Sequence, residues 1–304
     1  MSETTLKPTN NKKPIIFSDV DGTIYENFNL LDATLNDIHF AVKNGADFNI
    51  CTGNAIEERM YNLAKQLKSK FIIGSSGAQI YDRDLGKIIK SWKISFDSLK
   101  KIIALVKDQK YQMIFWDNEK YFYLFDHPKS VKIICSYHFS TPERLQKIPK
   151  LYQGEYIEPV KIELYSLTNY ETEAGANEIY ERIKNVENVT IVPTACNVEI
   201  SAKNITKWSA IEWLMKNNYI ETKIGDIMTI GDSNNDFTML QHTQYSYAMA
   251  NSSAKILNIA HFFTSSVEQN GLGEAILDYL YRLKNIVKKY MLHEFQNQRN
   301  NSNE

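Results

Sequence analysis

Two aspartates one residue apart, Asp19 and Asp21, follow the apolar run Ile15-Ile16-Phe17 and precede Gly22-Thr23. Three consecutive apolar residues, one of them aromatic, predict a short buried strand, and acids beside a glycine mark where it runs out into a loop. Both carboxylates then sit at a strand's carboxyl end, the edge of an open α/β sheet where ligands bind. Acids so close repel each other unless a cation or a shared proton holds them together. Their chemistry is that of a nucleophile beside an acid/base on a metal, although the same residues would also make a strand followed by an Asx-type turn. A second acidic pair, Asp232 and Asp236, follows the apolar run Ile227-Met228-Thr229-Ile230 in the segment Gly231-Asp232-Ser233-Asn234-Asn235-Asp236. The spacing Asp232, Asn234, Asp236 is similar to the start of a calcium loop. Such a loop requires Gly next and Glu at its twelfth position, where this chain has Phe237 and Thr243. A hard-cation site shared by the two acidic pairs fits better, because Mg²⁺ takes one or two carboxylates plus waters and substrate phosphate.

Two further groups lie between the acids. Thr52-Gly53-Asn54 follows the apolar stretch Ala46 to Cys51 and leads into a helix expected from about Ala55 to Leu67. Asn54 with Glu57 three residues on is a capping-box pattern, which predicts that Asn54 caps this helix and that its first-turn N–H groups face the sheet edge. Such a terminus favours an anion, and Thr52 adds a hydroxyl. Lys207 falls in the first turn of a helix whose apolar face is Trp208, Ile211 and Leu214 or Met215. A cation there is opposed by the helix dipole, and a bound phosphate dianion would reverse that balance.

The elements that must position these groups alternate strand and helix. After the opening strand, Leu31, Leu35, Ile38 and Val42 mark one helical face, Ala46 to Cys51 a second strand, and Phe71 to Gly74 a third. From about Asp82 the texture changes to alternating, aromatic-rich strands. Tyr111 to Trp116 and Tyr121 to Phe125 are joined across Asp117-Asn118-Glu119 as a hairpin, which implies an antiparallel sheet. Val160 to Tyr165, a helix from about Thr172 to Val186, and strands at Val189 to Val192 and Val198 to Ile200 complete that region. Its aromatic residues are assigned to cross-strand packing. A strand at Ile227 to Ile230, the short apolar segment Tyr245 to Ala250, the segment Ile259 to Thr264 and a final helix from about Glu274 to Tyr290 return to the first pattern. The fold class is α/β, a Rossmann-like doubly wound parallel-sheet core with an inserted α+β cap domain. The core comprises residues 13–81 and 201–290 and the cap 82–200, with frayed termini at 1–12 and 296–304.

Composition narrows the function. The chain has 304 residues, is 43% hydrophobic and has a formal net charge of −1, which suits a globular protein and speaks against a general nucleic-acid binder. Cys51, Cys135 and Cys196 are widely spaced with no CxxC pair, so neither a disulfide framework nor a zinc site is expected, and a reducing cytoplasm fits. No apolar run reaches the length of a membrane span.

Taken together, the chain resembles the haloacid dehalogenase superfamily, in its Cof-type subfamily of hydrolases with a type-two α/β cap. The resemblance rests on four motifs in order: Asp19-Val20-Asp21-Gly22-Thr23, Thr52-Gly53, Lys207, and Gly231 to Asp236. Softer matches are Gly77 to Asp82 before the cap and Asn270 to Ile276 near the end. The resemblance implies that Asp19 is the nucleophile and Asp21 the acid/base. It also implies that Thr52, Gly53, Lys207 and Asn235 hold the phosphoryl group. Asp19, the backbone carbonyl of Asp21, and Asp232 would ligate Mg²⁺, with Asp236 orienting the metal site. The implied activity is a Mg²⁺-dependent phosphatase of small phosphorylated metabolites working through a phosphoaspartate, with no nucleic-acid or membrane partner. A phosphomutase of the same fold and a non-catalytic phospho-ligand binder are the alternatives. The chain departs from the family where Asn54 replaces an Arg after Thr-Gly, Ser76 an Asn, and Trp208 a Gly. The first change removes an expected positive contact near the substrate.

Overall fold

The computed structural model describes residues 12–107, 110–127, 149–170 and 172–286. Cys135, the last residues of the expected final helix and most of both termini lie outside them. Strand β1 (Ile15–Ser18) is buried along its whole length: Ile15 and Phe17 enter one apolar cluster and Ile16 another. A near-continuous apolar sequence is what a central parallel strand covered on both faces requires. The chain continues through α1 (Asp32–Lys43), β2 (Asp47–Cys51), α2 (Glu58–Leu67) and β3 (Phe71–Gly74), then a hairpin of β4 (Gln79–Asp82) and β5 (Lys87–Ser91). After an excursion it returns as α5 (Lys207–Lys216), β12 (Ile227–Gly231), α6 (Phe237–His242), β13 (Tyr245–Ala248), α7 (Ala254–Ile259), β14 (Phe262–Phe263) and α8 (Gly271–Lys284).

These strands form one eight-stranded sheet in the order β14-β13-β12-β1-β2-β3-β4-β5, parallel except for β4 and β5. Helices α1, α2 and α8 bury their apolar residues on one face, and α5, α6 and α7 on the other. The fold is therefore a doubly wound α/β sandwich. The strand order reverses at β1, which pairs with β2 on one side and β12 on the other, and the crevice at such a switch point is the binding place of open α/β sheets. Asp19 and Asp232 follow directly on the ends of β1 and β12.

The excursion carries α3 (Phe96–Val106), β6 (Tyr111–Trp116), β7 (Tyr121–Tyr123), β8 (Lys150–Leu151), β9 (Lys161–Ser166), α4 (Glu173–Ile183), β10 (Val189–Pro193) and β11 (Val198–Ala202). Its six strands are ordered β10-β11-β9-β6-β7-β8, with α3 and α4 on one face. The aromatic residues of the β6–β7 hairpin pair across the strands. Trp116 stacks on Tyr121 with ring centres 5.1 Å apart, and Phe115 on Phe122 at 5.5 Å. The other face of this sheet meets the first body, where the Trp116 indole N–H donates to Ser75 Oγ at 2.9 Å.

Four local details differ from the sequence expectation. Strand β5 pairs with β4, so residues assigned to the insertion extend the first sheet. Helices α3 and α7 are additional to the predicted elements. Asn285, with φ 55°, closes α8 at Lys284. The fourth concerns the site: α2 begins at Glu58, and Asn54 does not cap it. Residues 54–57 stay non-helical while Ile56 is buried beneath Gly74, and the Asn54 side chain is turned towards the loop after β1, where its Nδ2 donates to the Asp21 carboxylate. The helix terminus expected beside Thr52 is thus withdrawn by three residues. No helix among the described residues is long and apolar enough to cross a membrane.

Candidate active site

Asp19 is fixed where β1 ends: its backbone N–H donates to Ile230 O at 3.0 Å, and its residue is only 6% exposed. Lys207 comes from the far side of the crevice, at the first position of α5, whose start is set by Thr206 and Ser209 in a reciprocal capping box. Its ammonium is fully buried and donates to Asp19 Oδ1 and to Asp236 Oδ1, both at 2.6 Å. Asp236 is held by its other oxygen, which accepts from the backbone N–H groups of Asp232 and Ser233 at 3.1 and 3.0 Å. It is the hub between the loop after β12 and the lysine. Burial works against the Lys207 charge, but Asp19 and Asp236 hold its ammonium well above the ordinary value.

Asp232 completes a group of three carboxylates. One oxygen each from Asp19, Asp232 and Asp236 lie within 4.8 Å of one another. Gly22, at φ +78°, makes this approach feasible, since a Cβ there would stand 2.5 Å from Asp232 Oδ2. Asn251 bridges Gly22 O and Asp232 Oδ2 at 3.0 and 3.2 Å, whereas Asp232 Oδ1 is buried with no hydrogen-bond partner among the described residues. Burial, then Asp19 and Asp236, drives the Asp232 carboxyl well above its usual range. Burial, then Asp236, pushes Asp19 up to about 7 against the pull of Lys207. Three carboxylates against one ammonium leave two negative charges uncompensated. An all-oxygen donor set, an orphaned carboxylate oxygen and that charge excess fit a hard divalent cation such as Mg²⁺.

Asp21 is more open, its side chain 53% exposed. It leans towards the loop after β2, where Asn54 Nδ2 donates to its Oδ2 at 2.5 Å and Arg59 Nη1 stands 3.4 Å from its Oδ1. Thr52 is buried, and its hydroxyl oxygen accepts from the Asn54 backbone N–H and Nδ2 at 3.2 and 2.9 Å. Asp19, Asp21, Thr52, Gly53, Asp232 and Asn235 all line one cavity of about 370 Å³, while Lys207 and Asp236 lie behind its floor. Every residue singled out from the sequence is therefore in or beside one crevice.

The second sheet closes that cavity with residues the sequence reasoning did not pick. Lys161, wholly buried, reaches from β9 to Gly53 O at 3.0 Å and Ser76 Oγ at 2.6 Å, and pairs with Glu199 of β11 at 2.8 Å and Glu163 at 3.3 Å. Ser76 donates to Glu199 as well, and Asn235 Nδ2 donates to its other oxygen at 3.0 Å. Arg59 was also missed. It donates to the Tyr25 hydroxyl at 2.8 Å and lies 5.0 Å from the centre of the Phe28 ring. A signal for Lys161 and Glu163 existed: they alternate with Ile162 and Leu164 of the apolar face, so charge is confined to the opposite face of β9.

The family profile of the haloacid dehalogenase-like hydrolases matches residues 16–276. The chain belongs to this family. Among its relatives is YxeH of Bacillus subtilis, 24% identical over 86% of this chain and 96% of its own. Another from that organism is the 5-amino-6-(5-phospho-D-ribitylamino)uracil phosphatase YcsE, 23% identical over 86% of this chain and 94% of its own. Among solved structures, a subclass IIB sugar phosphatase, BT4131, superposes with a TM-score of 0.74 at 19% identity, over 88% of this chain and 99% of its own. BT1666 from Bacteroides thetaiotaomicron superposes with a TM-score of 0.72 at 20% identity, over 91% and 98%. At these identities the superpositions show a haloacid dehalogenase fold.

Proposed function

We propose that this haloacid dehalogenase-like hydrolase is a Mg²⁺-dependent phosphatase of small phosphorylated metabolites, a phosphoric monoester hydrolase of the cytoplasm. The observation that carries the proposal is the Asp19 carboxylate, held by Lys207 at the floor of a cavity that also contains Asp21. Bound at Asp19, Asp232 and the Asp21 carbonyl, with Asp236 orienting the site, Mg²⁺ would supply charge neutralisation for two anions that must approach each other. Asp19 attacks phosphorus, the ester P–O bond breaks, and Asp21 gives its proton to the leaving oxygen. Water then attacks the phosphoaspartate, its proton passes to Asp21, and inorganic phosphate leaves with the Asp19 carboxylate restored. Thr52, the Gly53 backbone, Lys207 and Asn235 are assigned to the phosphoryl oxygens, where positioning and positive charge supply most of the catalysis. Retention of both a nucleophile and an acid supports hydrolysis over binding alone.

Phosphate release from an aryl phosphate and a panel of phosphorylated metabolites, with Mg²⁺ or with excess chelator, tests the proposal. Release should require the metal and vanish in Asp19→Asn, because an amide is not a competent nucleophile. Full activity in chelator would sink the metal-dependent mechanism, and full activity of the variant would remove Asp19 as nucleophile.

A further inference from the structure

The charged residues that line the cavity are Asp19, Asp21, Glu26, Glu163, Glu199 and Asp232, with no Lys, Arg or His among the described lining residues. Three of these acids belong to the chemistry. The other three, Glu26 on the loop after β1 and Glu163 and Glu199 on the second sheet, surround the space left for the alcohol part of the ester. Lys161 does not cancel them: a single ammonium faces two carboxylates, and it also donates to Ser76 Oγ and Gly53 O. The rest of that wall offers the Tyr165 ring, whose hydroxyl donates to Glu163 at 2.5 Å, and the polar residues Thr194 and Asn197.

Building on the phosphatase reading, we propose that the favoured substrate is a phosphate monoester whose alcohol part carries a protonated amine beside hydroxyl groups, such as an amino-sugar phosphate. The ammonium meets Glu163 and Glu199, and the hydroxyls meet Asn197 and Thr194. A carboxylate or second phosphate at the same place would be repelled by these acids, because the one ammonium there, Lys161, is already held by Glu163 and Glu199. Selection of this kind concerns the alcohol part of the ester, and comparing esters that share the same phosphoryl group isolates it.

Three sugar 6-phosphates read the preference: the isosteric pair glucosamine 6-phosphate and glucose 6-phosphate, and the open-chain acid 6-phosphogluconate. Expected kcat/KM falls in that order, by at least about tenfold for each step, the range of a hydrogen bond to a charged partner gained or opposed. Glu163→Gln should collapse the ratio between the amino and neutral esters. Calorimetric binding of the three esters to Asp19→Asn gives the same ranking even where nothing is turned over. Equal values for the amino and neutral esters, or a lead for 6-phosphogluconate, in turnover or in binding, would overturn the inference. Ranked binding without phosphate release from any ester, aryl phosphate included, would instead sustain it and overturn the phosphatase reading.

Discussion

Asn54 stands where the family resemblance leads one to expect a cation, and its side chain does other work. Its amide holds the carboxylate of Asp21 at 2.5 Å, while a guanidinium arrives from five residues further on, Arg59, tied to Tyr25 and lying over Phe28. If Asp21 is the acid/base, as proposed, Asn54 is the residue that positions it. Asn54→Ala should lower kcat/KM about tenfold on an alkyl phosphate, the loss of one hydrogen bond to a charged group, and much less on an aryl phosphate, whose leaving group needs little protonation. Equal losses on both would mean that Asn54 does not act through Asp21. In the proposed mechanism Asp21 serves both half-reactions but is not needed equally in both. With an aryl phosphate, Asp21→Asn should release about one equivalent of phenol in a burst and then turn over very slowly, because breakdown of the phosphoaspartate still requires a base. With a sugar phosphate no burst should appear. Steady turnover near the wild-type rate on both substrates would make Asp21 structural.

At the scale of elements, β9 and β11 are buried on both faces, and only one face of each is apolar. Ile162, Leu164, Val198 and Ile200 face α3 and α4, while Lys161, Glu163 and Glu199 face the loops that follow β2 and β3. Lys161 is the bolt between the two sheets. Lys161→Met should lower unfolding stability by about 3 kcal/mol, because it strands two buried carboxylates, a larger loss than removing a surface pair. Urea melts of the two proteins measure it, and a change below about 1 kcal/mol would show that Glu163 and Glu199 find other partners. The alternating pattern that revealed these strands was legible in the sequence, as were the apolar runs of β1, β3 and β12. What was not legible was the partner of the polar face. A charged residue on a strand reads as solvent-facing until a second layer is placed over it, and that layer comes from loops 85 to 123 residues away. The same limit misassigned Asn54: its local spacing fitted a cap, but the helix starts only at Glu58 and the Asn54 Nδ2 donates to a carboxylate brought in from the loop after β1. Helix α3 carried a readable pattern, with Leu99, Ile102 and Val106 buried at spacings of three and four, but was overshadowed by the strands around it.

Across the whole molecule, the doubly wound order collects acids from opposite ends of the chain at one switch point, and their mutual repulsion is a cost of folding. This part of the site was legible early, because motifs at the ends of β1 and β12 converge in any parallel sheet that places those strands side by side. Their depth was not, since burial depends on α5 and the second sheet. That depth has a thermodynamic consequence. The Asp19 carboxyl, ordinarily near 3.8, is pushed up to about 7, and Asp232 is raised well above its ordinary value too. A carboxyl with a raised folded-state pKa binds more protons in the native than in the unfolded chain between those values, so metal-free stability falls as pH rises from about 4 towards about 7 and levels off above. On the proposed function, Mg²⁺ would bind the ionised native site and not the unfolded chain, and so restore at high pH what repulsion removes. The rise in Tm produced by a fixed excess of Mg²⁺ should therefore be small at pH 5.5 and large at pH 8. Asp232→Asn, which removes one of the three charges, should raise the Tm of the metal-free protein at pH 8 and shrink the Mg²⁺ response. A Mg²⁺-induced shift that is the same at both pH values, or undiminished in Asp232→Asn, would place the cation outside the Asp19, Asp232 and Asp236 cluster.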